Sequence, residues 1–299
     1  MLLFATACDR SITLHITNNL GLNLGCHLSI AKGLPKMYEM AAFLEASCAQ
    51  VFTRNPRGGK RREIEDAEIE QANALRQQNG FKTLICHIPY TVNPASPRVE
   101  ALNFAKQVLR DDLRHADRFG GDFVVFHPGS HVNSGLEAGI GRIVETIKEA
   151  LNHYDGHAIL CLEHMAGGGS VIGSDPTELA AILEALNWDE RLGICIDTCH
   201  LFAAGFDVRT KEAIDATLEQ FDRTVGVGRI KCVHLNDSLT PLGSKKDRHA
   251  LIGQGELGVA GIKAVVTHPV LSKLPLCLET PVERDTDYAA EMDAVRALL

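Results

Sequence analysis

Nowhere in the 299 residues does an apolar run approach the roughly eighteen needed to cross a bilayer. The apolar opening Met1–Ala7 is stopped by Asp9 and Arg10, and it has neither the basic start nor the length of a secretory signal. No membrane association is expected; residues 1–20 read as an irregular N-terminal extension and residues 21–299 as one domain. CxxC pairs are also missing. The nine cysteines are odd in number and scattered, which excludes a disulfide framework and points to a reducing, cytoplasmic setting. No linker, low-complexity segment or shift in composition divides the chain. Basic residues are not in excess either: Lys and Arg number 30 against 38 Asp and Glu, for a net charge of −8. Such a balance argues against a polyanionic partner unless bound cations change the sum.

What the sequence does contain is one unit repeated from end to end. Short apolar runs alternate with stretches carrying apolar residues three and four apart. The runs are Leu22–His27, Ala49–Thr53, Thr83–His87, Phe123–His127, Ala158–Glu163, Leu192–Asp197, Ile230–His234 and Leu274–Glu279. Between them, Leu102, Ala105, Leu109, Leu113 and Ala116 share one helical face, as do Ile140, Ile143, Val144, Ile147 and Leu151. Asp175-Pro176-Thr177-Glu178 has the cap, proline and acidic residue of a helix start, and Gly80 and Gly120 stand where helices should stop. Eight strands, each followed by a helix and buried on both faces, predict a single (β/α)8 TIM barrel; an open doubly wound sheet fits eight units less well.

A parallel barrel assembles its site at the C-terminal ends of the strands. Those ends carry His27, His87, His127, Glu163, Asp197, His234 and Glu279, while the second strand runs into Arg54, Asn55 and Arg57. A lone strand-end His is ordinarily a hydrogen-bonded structural residue, and a lone Asp or Glu a cap for the next helix. Seven together resist that account. Carboxylates and imidazoles crowded into one mouth repel or lie unpaired unless cations sit among them. Asp197-Thr198-Cys199-His200 adds an imidazole beside a strand-end carboxylate, and Asp247-Arg248-His249 adds two candidate ligands in the loop after the seventh strand. His and carboxylate donors without thiolate suit catalytic Zn²⁺, with Mn²⁺ compatible with the same donors. Cys161, Cys195, Cys232 and Cys277 each precede a strand-end ligand by two, so they should fill the barrel one layer beneath it.

Three motifs lead elsewhere. Gly253-Gln254-Gly255-Glu256-Leu257-Gly258 matches the dinucleotide fingerprint in letters but does not follow an apolar strand. Gly167-Gly168-Gly169 reads as a tight loop after the fifth strand that lets substrate approach. Ser130 lacks the nucleophile-elbow pattern of a serine hydrolase.

With these residues in view, the chain resembles the endonuclease IV type of apurinic/apyrimidinic endonuclease from about Leu22 to Glu279. The matching stretches, in the family's order, are Phe126-His127-Pro128-Gly129-Ser130-His131, Cys195-Ile196-Asp197-Thr198-Cys199-His200, Val233-His234-Leu235-Asn236-Asp237, Asp247-Arg248-His249 and Leu278-Glu279-Thr280. The resemblance implies three zinc ions: one on His87, His127 and Glu163; a second bridged by Glu163 and completed by Asp197, His234 and Glu279; a third on His200, Asp247 and His249. It implies Glu163 and Glu279 as catalytic residues, Glu163 positioning two ions and Glu279 orienting the attacking water. It also implies Arg57 and Tyr90 as DNA-binding residues, although the position after Tyr90, often a larger aliphatic in the family, is Thr91 here.

The implied substrate is double-stranded DNA with abasic sites, cut on the 5′ side to leave a 3′-hydroxyl and a 5′-deoxyribose phosphate, with trimming of blocked 3′ ends by a monomeric enzyme. Three Zn²⁺ would add six charges to −8 and leave −2, concentrated as positive potential at the mouth beside Arg54, Arg57, Lys60, Arg61, Arg62, Lys245, Lys246 and Arg248. For Lys60-Arg61-Arg62, a solvated helix start is an equal reading. The rival function is a single-metal sugar isomerase or epimerase, for which Glu163, Asp197, His234 and Glu279 would suffice. His87, His127, His200, Asp247 and His249 would then have no task.

Overall fold

The computed structural model describes residues 21–56 and 61–299; the expected N-terminal extension, Arg57 and Lys60 lie outside the described residues. In chain order the elements are β1 (Asn23–His27), α1 (Leu34–Phe43), β2 (Cys48–Phe52), α2 (Asp66–Gln78), β3 (Thr83–His87), α3 (Val99–Arg118), β4 (Phe123–Phe126), α4 (Leu136–Leu151), β5 (Ile159–Glu163), α5 (Pro176–Ala185), β6 (Leu192–Asp197), α6 (Thr198–Ala204), α7 (Lys211–Thr224), β7 (Ile230–His234), β8 (Asp237–Ser238), β9 (His249–Ala250), α8 (Gly258–Thr267), β10 (Pro275–Leu278) and α9 (Tyr288–Arg296). Eight strands close in the order β1-β10-β7-β6-β5-β4-β3-β2, each pair parallel, while β8 and β9 form a separate antiparallel hairpin. The fold is the expected TIM barrel.

Its apolar surface is divided in two. The larger core lies between strands and helices, where Leu84, Val124, Leu160, Ile194 and Val233 meet the buried faces of the helices. The helical periodicity places Ala105, Leu109, Leu113 and Ala116 of α3 in this core, with Ile143, Val144, Ile147 and Leu151 of α4. Inside the barrel a smaller cluster of Ile85, Val125, Cys161, Cys195, Cys232 and Cys277 forms the floor of the mouth. Alternation along the strands thus sets the four cysteines one layer below the strand-end residues, as expected. The eight described cysteines are all buried and unpaired, and burial pushes the Cys161, Cys195 and Cys277 thiols up.

Three strands end one residue before their apolar runs at the mouth, β2 at Phe52 among them, and for the other two a cause is visible. β4 ends at Phe126, because Pro128 has no N–H to offer the ladder. β10 ends at Leu278, because the Glu279 N–H donates to the Asn236 side chain at 2.9 Å. Helix ends follow the sequence signals more closely. Gly80 and Gly120, just past α2 and α3, take φ of 61° and 85°. The Asp175 side chain caps α5 by accepting from Thr177 N. Glu178 departs from the expected capping box: its carboxylate accepts instead from Gly173 N at 2.7 Å, tying α5 to the loop after β5.

Candidate active site

Six of the eight barrel strands deliver a side chain into one mouth, at their last residue or just past it. His87 closes β3, His127 follows β4, Glu163 closes β5, Asp197 closes β6, His234 closes β7 and Glu279 follows β10. The other three candidate ligands arrive by different routes. His200 lies in the first turn of α6, while Asp247 and His249 are carried back by the β8–β9 hairpin.

Glu163 is the hub. It is buried, with Oε2 3.0 Å from His87 Nε2 and 3.2 Å from His127 Nε2, and Oε1 3.2 Å from His200 Nδ1 and 3.3 Å from His234 Nδ1. The Asp247 carboxylate bridges His200 Nε2 and His249 Nε2, 3.2 Å from each. Asp197 does two things at once. One oxygen caps α6, accepting from Cys199 N at 2.6 Å and His200 N at 3.1 Å, and the other faces the mouth 3.5 Å from His249 Nε2. Helix cap and candidate ligand are therefore the same residue, each role taking one oxygen.

Three sets of potential ligand atoms lie within 4.8 Å of one another: His87, His127 and Glu163; Asp197, His234 and Glu279; His200, Asp247 and His249. Glu163 also groups with Asp197 and His200, and Cys199 with Asp197 and His249. His27 belongs to no such group among the described residues. Its Nδ1 meets Gln50 at 3.1 Å, its ring packs 4.4 Å from Phe52, and burial pushes its pKa down to about 4.

Electrostatically, each partner holds the other charged. Burial alone would raise the Glu163 carboxyl, yet His127 and His234 keep it well below the usual range. Burial likewise opposes ionisation of Glu279, and His234 beside it brings the carboxyl down to about 2. Burial would lower His249, but Asp197 and Asp247 push it up to about 9, and His234 and His200 are raised in the same way by the carboxylates they face. The Nε2 atoms of His200 and His249 are buried and make no hydrogen bond, although each lies 3.2 Å from the Asp247 carboxylate. Orphaned imidazole nitrogens converging with carboxylates form a donor set that fits divalent cations.

Outer hydrogen bonds keep these rings in place. His87 Nδ1 meets Ile88 O at 2.6 Å, His200 Nδ1 meets His164 O at 3.0 Å, and His249 Nδ1 meets Glu279 O at 3.1 Å. Asn236 spans two candidate ligands, donating to Asp197 Oδ2 at 2.7 Å and accepting from Glu279 N. Sequence reading named neither Asn236 nor Gln50 as a site residue. The available signal was a polar amide side chain within, or just after, an apolar run; its full burial is visible only in the fold.

The mouth opens into a cavity of about 620 Å³ lined by His87, His127, Glu163 and His249, with Tyr90 at its rim. Tyr90 is 55% exposed, its ring 6.5 Å from Phe52. Thr91 donates to Pro56 O at 3.3 Å, joining the loops that follow β2 and β3. Three of the expected rim cations are otherwise engaged. Arg54 is sunk against the fully buried Asp112, with Nε 2.8 Å from its carboxylate. Arg61 reaches Asp111 O at 3.3 Å, and Arg62 makes two 2.7 Å bonds to Glu68. Arg54 and Arg62 neutralise neighbouring acids, and Arg61 and Arg62 lie in the irregular segment before α2 rather than at a helix start. Lys245, Lys246 and Arg248, in the β8–β9 loop, are exposed.

The glycine-rich decoy has an internal occupant. The N–H groups of Gly255 and Leu257 donate to the buried Asp237 carboxylate at 2.9 Å, with Gly258 N at 3.2 Å and Ser238 N at 2.7 Å. The loop is an anion nest filled by the protein's own aspartate. Ser130 Oγ lies 2.7 Å from Ser170 Oγ, with no base in that bond.

The family described as xylose isomerase-like TIM barrel matches residues 39–298. A curated relative from Heliobacterium modesticaldum, "Probable endonuclease 4", is 44% identical over 276 residues, covering 92% of this chain and 99% of its own. The crystal structure of endonuclease IV from Thermus thermophilus superposes with a TM-score of 0.80 at 36% identity, over 92% of this chain and 98% of that one. D-psicose 3-epimerase from Clostridium cellulolyticum, solved with D-tagatose, reaches a TM-score of 0.65 at 14% identity over 93% and 99% of the two chains, a likeness of fold alone. Identity of this extent over nearly the whole of both chains decides the matter: the chain belongs to the endonuclease IV family of xylose isomerase-like TIM barrels.

Proposed function

We propose that this protein is a cytoplasmic, monomeric DNA-repair endonuclease. It hydrolyses the phosphodiester bond 5′ to abasic sites in double-stranded DNA, leaving a 3′-hydroxyl and a 5′-deoxyribose phosphate, and it trims blocked 3′ ends. One observation carries the reading: nine imidazole and carboxylate side chains, from six barrel strands, α6 and a returning hairpin, sort into three compact sets around Glu163. His87, His127 and Glu163 would hold one Zn²⁺; Asp197, His234 and Glu279, with Glu163 bridging, a second; His200, Asp247 and His249 a third, with Mn²⁺ compatible with one position. Zinc supplies Lewis acidity toward phosphoryl oxygens and lowers the pKa of water to about 7.

The chain's own residues supply placement. Glu163 offers one oxygen to His87 and His127 and the other to His200 and His234, which ties the first two sets to the third. Glu279 has its backbone N–H held by Asn236, and its carboxylate would orient the attacking water. Tyr90 stands at the rim as the aromatic available to stack beside a lesion, with Arg57 as its expected companion. Unstacking a nucleotide costs a few kcal/mol and less where the base is already absent, which favours abasic sites.

A sugar isomerase would need only the Glu163, Asp197, His234 and Glu279 quartet. Its likeness here extends to the fold alone, and it gives no use to the set formed by His200, Asp247 and His249. The test is a labelled duplex with one abasic-site analogue, together with the metal content of the purified protein. Nicking on the 5′ side, abolished by exhaustive chelation, with about three zinc per chain, is expected. An intact duplex after incubation with fully loaded protein overturns the proposal.

A further inference from the structure

β2 brings none of the nine candidate ligands to the mouth, yet Gln50 at its centre is fully buried against two of them. Its side-chain amide has three partners. Nε2 donates to Glu279 Oε1 and lies 3.1 Å from His27 Nδ1, while Oε1 lies 2.8 Å from His234 Nε2. The chemistry fixes which end of the amide is which. An ionised carboxylate only accepts, so the atom facing Glu279 is the NH₂ group. The carbonyl oxygen then faces His234 Nε2, which must carry the hydrogen. With a cation bound, His234 would therefore be held as the Nε2–H tautomer, leaving the Nδ1 lone pair for the cation.

Nδ1 is the nitrogen that looks into the mouth, 3.3 Å from Glu163 Oε1, 3.3 Å from Glu279 Oε2 and 3.9 Å from Asp197 Oδ2. We infer that Gln50 is a positioning residue for the second cation: one buried amide selects the His234 nitrogen that binds it and aims the Glu279 carboxylate at the same point. The inference rests on the proposed metal centre. It extends that reading to a strand with no ligand of its own, and to His27, whose Nδ1 accepts the second N–H and completes the amide's bonding. A glutamine present only to fill space would need none of these three bonds in this order.

Equilibrium competition for zinc between the full chain and a chromophoric chelator, with ¹⁵N–¹H spectra of the histidine rings, tests it. The parent is expected to hold about three zinc, and Gln50→Leu to hold one of them about 10–100-fold more weakly while retaining the others. In the parent His234 should show an Nε2–H signal that Gln50→Leu loses. Should that variant not fold, Gln50→Glu carries the test. It keeps an acceptor for His234 but sets a carboxylate where Glu279 needs a donor, so the Nε2–H signal persists while kcat falls about tenfold or more at unchanged KM. A parent that binds no zinc overturns both the metal centre and this inference. Zinc competition identical in parent and Gln50→Leu, or a His234 hydrogen found on Nδ1 in the zinc-loaded parent, overturns the inference alone.

Discussion

The imidazole of His200, in the first turn of α6, stands 3.2 Å from the carboxylate of Asp247, which a hairpin returns from beyond β7, and the same carboxylate lies 3.2 Å from His249. The third candidate cation position thus depends on a hairpin rather than on a barrel strand. His249→Ala should lower nicking of an abasic duplex by about 10²-fold or more, because it removes a ligand of the cation that would stabilise the leaving oxygen, and metal content should drop from about three ions to two. Unchanged nicking by the variant would sink the assignment of this set. A sugar isomerase would be indifferent to the change.

Zinc binding should also release protons. Against the effect of burial, Asp197 and Asp247 push His249 up to about 9 in the metal-free protein. At pH 7 that imidazole is charged, and a cation must displace its proton before binding. Zinc affinity should therefore fall as pH drops below about 9, with proton uptake by the buffer visible when calorimetry is repeated in buffers of different ionisation enthalpy. In the metal-free fold the sign is fixed by the raised pKa. The pairing stabilises fully below the ordinary histidine pKa and is lost as pH rises through about 9. Zinc binding with no proton release at pH 7 would contradict this.

Arg54 behaves differently from an exposed DNA-binding cation. Its partner Asp112 is fully buried and also accepts from Thr53 Oγ1 at 2.6 Å. Arg54→Leu should leave that carboxylate with only Thr53 and, 3.9 Å away, the Arg61 guanidinium, and cost about 3 kcal/mol of stability in urea unfolding. The double variant Arg54→Leu with Asp112→Leu should recover much of the loss. If Arg54→Leu instead weakened DNA binding without loss of stability, Arg54 would have to be returned to the rim.

Tyr90 makes the complementary case, an aromatic ring left half in water beside the mouth. Tyr90→Ala should raise KM for the abasic duplex by the worth of about one stacking contact, roughly 1–3 kcal/mol, with zinc content unchanged. A fall in kcat at constant KM would place the residue in the chemistry rather than in DNA handling.

Asp237 is expected to matter through backbone geometry alone. A methyl group at Gly255 would meet Ser238 O and Asp237 Oδ1, the latter at 2.5 Å, so Gly255→Ala should open the nest. Asp237→Asn should cost about 1–3 kcal/mol, since an amide cannot accept from every N–H that the carboxylate satisfies. Both should lower the thermal midpoint, and added dinucleotide should shift it in neither parent nor variant.

Much of this was legible because a parallel barrel converts local pattern into global position. Apolar runs at regular intervals specify strands, helical periodicity between them specifies the outer layer, and the last residue of each strand necessarily points into one mouth. His87, Glu163, Asp197 and His234 could be placed that way from their letters, as could the cysteine floor beneath them. Residues that departed from expectation did so because of a partner far away in the chain. Arg54 reads as a rim cation until Asp112 is brought against it, and His27 reads as a strand-end ligand until Gln50 and Phe52 enclose it. The nest around Asp237 likewise follows from no spacing in the sequence, because its N–H groups come from a loop on the far side of the β8–β9 hairpin.

The amino-acid order by itself determined the barrel, its strand ends and the residue types gathered there, since periodicity and strand polarity are properties of neighbouring residues. Only the tertiary structure decided which oxygen of Asp197 caps a helix and which faces the mouth, which nitrogen of His234 is turned inward, and which arginines are drawn down onto acids. Those are questions of atoms rather than residues. Contacts between segments distant in the chain settle them, and local pattern carries no information about such contacts.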